Sequence, residues 1–151
     1  MGRAMIIGAV GAGKTSLVQA LFADRQPARK TQALEYRDWV IDTPGEYSEN
    51  PMYYRSLMAT ALESGVLVMV QDAARERNSF PPGFAQGFPL RPIGVITKAD
   101  HPKANVERAK LLLRESLPEG DIFVTSALAG EGIDELRARL LQDLGLTGDA
   151  D

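Results

Sequence analysis

Short apolar runs recur along the chain at residues 4–7, 39–41, 66–70, 92–97 and 122–125, each of the length expected for a β-strand. Residues 66–70 are apolar without interruption, as a strand covered on both faces requires. Between these runs lie stretches whose apolar positions follow helical spacing. Residues 16–22 form the first. In residues 50–63 the stripe is Tyr54, Leu57, Met58, Ala61 and Leu62, with Asn50-Pro51 as N-cap and first helical residue. Val106, Ala109, Leu112 and Leu113 mark residues 105–117, and Leu136, Leu140, Leu141 and Leu144 mark residues 133–144. Residues 32–36 read as a further short strand joined to 39–41 by an Arg37-Asp38 turn. Alternation of strand and helix predicts an α/β protein: three layers, α/β/α, around a mainly parallel sheet with one short antiparallel strand. No composition break marks a second domain, so residues 1–151 are expected to form one.

Residues 75–91 break the alternation. They hold Pro81, Pro82, Gly83, Gly87 and Pro89 together with Phe80, Phe84 and Phe88. A crossover between parallel strands is normally helical, yet these breakers allow only a turn or two. The phenylalanines either plug a sheet face that a helix would otherwise cover or form a docking surface.

The first helix is preceded by Gly8-Ala9-Val10-Gly11-Ala12-Gly13-Lys14-Thr15, which fits the phosphate-cradling pattern G-x-x-x-x-G-K-[ST] in its proper strand–loop–helix setting. Glycines at 8, 11 and 13 let the backbone wrap an anion closely, and the loop amides and helix N-terminus face it with donors. Gly8, Gly11, Ala12, Gly13, Lys14, Thr15 and Ser16 are therefore the expected phosphate contacts. Lys14 is placed to reach the β- and γ-phosphates, and the Thr15 hydroxyl to coordinate Mg²⁺.

Asp42-Thr43-Pro44-Gly45 follows the strand at 39–41. Asp42 there suits the Mg²⁺ shell, and the Gly45 N–H suits the γ-phosphate. Thr97-Lys98-Ala99-Asp100 follows the strand at 92–97 and resembles the [NT]-K-x-D base-reading motif. A carboxylate at Asp100 accepts hydrogen bonds from guanine N1–H and the 2-amino group, neither of which adenine offers. Ser126-Ala127-Leu128 follows the next strand and is similar to the loop whose backbone N–H meets the guanine O6. Thr31 is either a second hydroxyl for Mg²⁺ on a mobile loop or an ordinary loop threonine. Lys14, Thr31 and Gly45 are the candidate catalytic residues, and Thr15, Asp42 and Thr31 the candidate metal ligands. GTP or GDP with Mg²⁺ is the expected ligand.

Composition narrows the alternatives. The net charge of −3 supplies no general basic field for nucleic acid or an anionic membrane. No apolar run approaches the length of a membrane span. With the first strand starting near Met1, no signal peptide is expected, and a cytoplasmic protein is. There are no cysteines, and His101 is the single histidine, so thiolate and histidine-cluster metal sites are excluded.

The motif order resembles a small regulatory GTPase. Lys30-Thr31-Gln32-Ala33, Asp42-Thr43-Pro44-Gly45-Glu46-Tyr47, Val70-Gln71-Asp72-Ala73, Phe80-Pro81-Pro82-Gly83-Phe84-Ala85 and Gly130-Glu131-Gly132-Ile133-Asp134-Glu135-Leu136 resemble the ethanolamine and propanediol utilisation GTPases, the EutP/PduV family. The resemblance implies a cytoplasmic protein of bacterial microcompartment metabolism, with a shell or pathway protein as partner. Glu46 stands where many GTPases carry a water-orienting Gln, so unaided hydrolysis is expected to be slow and Glu46 not to be the base. No arginine finger is identifiable, and Arg25, Arg29 and Arg75 are candidates by vicinity alone. An ATP-using phosphotransferase and a nucleotide-gated docking protein remain alternatives.

Replacing Asp100 with Asn is expected to move base preference from guanine toward xanthine, whose 2-oxo group needs a donor. Competition binding of GTP against XTP reads the shift, and an unchanged preference would remove Asp100 from base reading.

Overall fold

The computed structural model describes residues 2–22 and 35–146. β1 (Arg3–Gly8) leads through the glycine loop into α1 (Lys14–Leu21). β2 (Glu35–Arg37) and β3 (Val40–Asp42) follow, then the single-turn α2 (Glu46–Glu49), a 3-10 turn at Pro51–Tyr53 and α3 (Tyr54–Ala61). The chain continues through β4 (Ser64–Asp72), a second 3-10 turn at Phe84–Gly87, β5 (Arg91–Thr97), α4 (Val106–Ser116), β6 (Ile122–Val124) and α5 (Ile133–Asp143). The sheet order is β2-β3-β1-β4-β5-β6. All neighbours run parallel except β2, which pairs antiparallel with β3 through Glu35–Asp42, Tyr36–Ile41 and Arg37–Val40.

The expected architecture is therefore present, with local differences. The hairpin turn falls one residue later than expected, at Asp38-Trp39, and Asp38 takes the left-handed φ of 52° that a tight two-residue turn favours. Asn50 caps as expected, its Oδ1 accepting the Met52 N–H at 3.0 Å. The helix it was expected to start is divided, however, into the 3-10 turn and α3. That break narrows the buried stripe of α3 to Leu57, Thr60 and Ala61. Met58 and Leu62, assigned to the apolar face by spacing, are 37% and 82% exposed. Each lies about 100° round the helix from a buried neighbour, beyond the edge of the narrowed stripe.

Alternation along the central strands divides the core in two. Ala4 and Ile6 of β1 and Val66, Val68 and Val70 of β4 face α1 and α5, against Leu17, Leu21, Leu136 and Leu140. Met5, Ile7, Leu67 and Met69 face the other way, against Leu57, Ala61, Ala109 and Leu113.

The phenylalanine segment closes this second face. Phe80 is 4% exposed, and its ring stacks on Phe84 at 5.5 Å. Phe84 also meets Phe88 at 5.3 Å and Tyr54 at 5.4 Å. The segment is tied to the α4 backbone: Gly83 N–H donates to Glu115 C=O at 2.8 Å and Asn78 Nδ2 to Leu112 C=O at 2.6 Å. Phe80 is a core plug, while Phe84 and Phe88 pack against the core and stay partly open. Phe80→Ala is expected to cost about 3–5 kcal/mol in urea unfolding. A loss under about 1 kcal/mol would place the ring outside the cooperative core.

Candidate nucleotide site

The carboxyl ends of β1, β3, β4, β5 and β6 carry the candidate residues to one edge of the sheet. Gly11 and Gly13 take φ of 82° and 90°, left-handed values that a side chain would strain. Their cost is accepted at a turn from strand to helix that leaves the first amides of α1 without intrahelical partners. Lys14 opens that helix and is only 7% exposed. Burial pushes its ammonium below the ordinary lysine value, opposed by the nearby charges of Asp42, Glu46 and Glu49.

Asp42 ends β3 in register with Ile6 of β1 and is 5% exposed. The next residue fixes it there, because Thr43 Oγ1 and N–H both donate to Ile6 C=O, at 2.8 and 3.3 Å. Gly45, the residue before α2, lies so close to the loop that a Cβ would come within 2.5 Å of Val10 N. Glu46 Oε1 is buried without a hydrogen-bond partner.

The loop after β5 braces the glycine loop from the other side. Thr97 Oγ1 donates to Ala12 C=O at 2.6 Å, and Lys98 Nζ to Gly11 C=O at 2.8 Å. Lys98 itself sits at a left-handed φ of 61° and pairs with Asp72 Oδ2 at 3.0 Å. Ser126 Oγ donates to Asp100 Oδ1 at 2.6 Å, so the two base-reading segments touch. The Ser126 loop is held in turn by paired backbone bonds between Ser126 and Glu131. A cleft of ≈ 520 Å³ opens here, walled by Gly13, Ser16, Thr97, Lys98, Asp100, Ala127 and Leu128.

Most of the expected set is thus brought together. Thr31 lies outside the described residues, as do Arg25 and Arg29. Gln19, Ala20, His101 and Pro102 also line the cleft and were missed. Helical spacing from Ser16 marks Gln19 and Ala20, and adjacency to Asp100 marks the other two. Asp72, the partner of Lys98, stood in the Val70-Gln71-Asp72-Ala73 resemblance, which assigned it no role.

The residues fit a Mg²⁺-nucleotide. Around the position of Gly11 no atom lies within 4 Å of a built Cβ, which leaves the cradle open. Thr15 and Asp42 offer a hydroxyl and a carboxylate, hard oxygen donors of the kind Mg²⁺ prefers.

Fold and loop geometry together define an α/β protein of the P-loop class. Residues 1–142 match the PduV-EutP family model, described as ethanolamine utilisation - propanediol utilisation, and the chain belongs to this family. It is 38% identical over 138 residues to the propanediol utilization protein PduV of Citrobacter freundii, covering 90% of this chain and 91% of that one. It is also 38% identical to the "Probable acetate kinase EutP" of Escherichia coli, over 90% of this chain and 87% of the relative. The GTPase Era of a Bradyrhizobium strain is 29% identical over 89% of this chain and 51% of its own. A crystal structure of bacterial selenocysteine-specific elongation factor EF-Sec shares the fold at TM-score 0.65 and 22% identity, over 99% of this chain and 30% of that one.

Thr97→Val keeps the side-chain shape but leaves the buried Ala12 carbonyl without its donor. The expected loss is about 1–3 kcal/mol of unfolding free energy. Nucleotide affinity, measured by titration calorimetry, is expected to fall in parallel, and wild-type values for both would show that the brace carries no energy.

Proposed function

We propose that this chain is a guanine-nucleotide switch with slow, Mg²⁺-dependent GTP hydrolysis. The observation that carries the reading is the brace between the Thr97-Lys98 loop and the glycine loop, with Asp100 held by Ser126. It supports a base-reading role for Asp100 beside a glycine loop suited to phosphate. Asp100 accepts the guanine N1–H and 2-amino protons, and the Ser126 hydroxyl keeps its carboxylate oriented. Ser16 and the loop amides hold phosphate, and Lys14 balances the charge of the terminal phosphates. Thr15 and Asp42 would hold Mg²⁺, with Thr31 as a further candidate ligand. Magnesium supplies charge neutralisation at the β- and γ-phosphate oxygens. Gly45 presents its N–H where loss of the γ-phosphate is felt by α2.

Glu46 argues for slow turnover. Its carboxylate lies near Lys14 and has no amide N–H with which to orient an attacking water. The setting suggested by the relatives' names is ethanolamine or propanediol utilisation, with a microcompartment shell or pathway protein as partner. The negative charge argues against nucleic acid, and no helix among the described residues is long and apolar enough to cross a membrane.

A second reading is phosphoryl transfer from nucleotide to a small carboxylate. The name "Probable acetate kinase" borne by the Escherichia coli relative favours it. Formation of acyl phosphate from acetate, trapped as hydroxamate, separates this reading from a switch.

Single-turnover hydrolysis of GTP is expected to run on the order of 10⁻³ s⁻¹ or slower with Mg²⁺, the range of an unassisted switch. Glu46→Ala is expected to stay within about threefold of it. Abolished hydrolysis with intact GTP binding would instead make Glu46 the catalytic base.

A further inference from the structure

Thr97 opens the Thr97-Lys98-Ala99-Asp100 segment, at a position where asparagine is the commoner residue. A hydroxyl has one proton to donate, whereas an asparagine amide has two. The structure accounts for that one proton. Thr97 Oγ1 donates to Ala12 C=O at 2.6 Å, and Gln71 C=O lies 3.4 Å away as a second acceptor. Both neighbours are main-chain carbonyls, so both compete for the same proton and neither supplies another. Thr97 is 4% exposed, and turning the hydroxyl elsewhere would strand the buried Ala12 carbonyl.

The place of Thr97 in the cleft gives this a consequence for a ligand. Thr97 and Gly13 line one part of the wall and Asp100 another. The Thr97 side chain backs the glycine loop, its Cβ and Oγ1 each 3.6 Å from a Cβ built at Gly13. With guanine N1–H and the 2-amino group on Asp100, N7 lies across the purine from them and faces the Gly13–Thr97 wall. N7 is an acceptor and needs a proton from the group that faces it. Thr97 has only lone pairs left to offer. The neighbouring Lys98 Nζ is engaged by Gly11 C=O at 2.8 Å and Asp72 Oδ2 at 3.0 Å.

We propose that the cleft selects guanine without reading N7, and that Thr97 thereby admits 7-deazaguanine nucleotides, in which a C–H replaces that nitrogen. The proposal rests on the guanine reading of the cleft and adds to it the residue that sets selectivity at position 7. A 7-deazaguanine base keeps N1–H, the 2-amino group and O6. Every contact assigned to Asp100 and to the Ser126-Ala127-Leu128 loop therefore remains. Its C–H meets the lone pairs of Thr97 Oγ1 where N7 would oppose them with its own. An asparagine here would hold Ala12 with one amide proton and turn the other toward N7, which makes the analogue lacking N7 a poorer ligand.

The test is calorimetric titration of the full chain with GTP, 7-deaza-GTP and ITP, each with Mg²⁺ at one ionic strength. ITP lacks the 2-amino group and reports on Asp100. GTP and 7-deaza-GTP are expected to bind within about twofold of each other, and ITP weaker by about tenfold or more. Thr97→Asn is expected to separate the first two, with 7-deaza-GTP weaker than GTP by about fivefold. Weak ITP binding together with 7-deaza-GTP more than about threefold weaker than GTP in the wild type would overturn the proposal and leave the guanine reading intact. Equal binding of GTP and ITP would overturn the guanine reading and the proposal with it. Equal binding of GTP and 7-deaza-GTP by folded Thr97→Asn would show that residue 97 does not face N7, and would also overturn the proposal. If Thr97→Asn does not fold, the wild-type ratio of GTP to 7-deaza-GTP decides.

Discussion

The glycine loop is useful to an anion only if its amides face inward, and that turns its carbonyls outward. The Ala12 carbonyl is buried and needs a donor, because buried backbone acceptors are seldom left unsatisfied. Thr97 Oγ1 supplies it, and Lys98 Nζ adds a bond to the exposed Gly11 carbonyl. The same two bonds fix the distance between the phosphate cradle and the base-reading loop. The left-handed backbone of Lys98, unusual for a non-glycine residue, is held by this arrangement and by Asp72 at its far side. One constraint thus joins the two candidate segments: the loop proposed to read the base also completes the hydrogen bonding of the glycine loop proposed to hold the phosphates.

The sheet positions these loops through its register. Ile6 is paired with Asp42 and Val68 with Ile93, so the carboxyl ends of β1, β3, β4 and β5 reach the same edge. On that edge the charges are balanced around Lys14. Its burial disfavours the ammonium, and Asp42, Glu46 and Glu49 offset part of that cost. An arriving triphosphate adds negative charge where three carboxylates already compensate the lysine. α2 carries two of them, Glu46 and Glu49.

Much of this was legible in the chain. Strand positions followed from apolar runs, and the nucleotide motifs from spacing, because each motif stands at a strand end. Thr97, where Asn is commoner in such motifs, proves able to span the gap to Ala12, since a hydroxyl suffices to donate one bond. Other features were not legible. α2 is a single turn held by the approach of Gly45 to Val10, a tertiary contact without a local signature. The exposure of Met58 and Leu62 depends on where the 3-10 turn ends, which apolar spacing does not encode. Asp72 and Gln71 look like the polar end of a strand until β5 and the 77–79 loop are packed beside them.

The central claim is that these loops form a guanine site. Calorimetric titration of the purified chain with GTP and with ATP, each with Mg²⁺, tests it most directly. The expected result is GTP binding tighter than ATP by about a hundredfold or more, because adenine leaves the Asp100 carboxylate unpaired. Comparable affinities for the two nucleotides would contradict it.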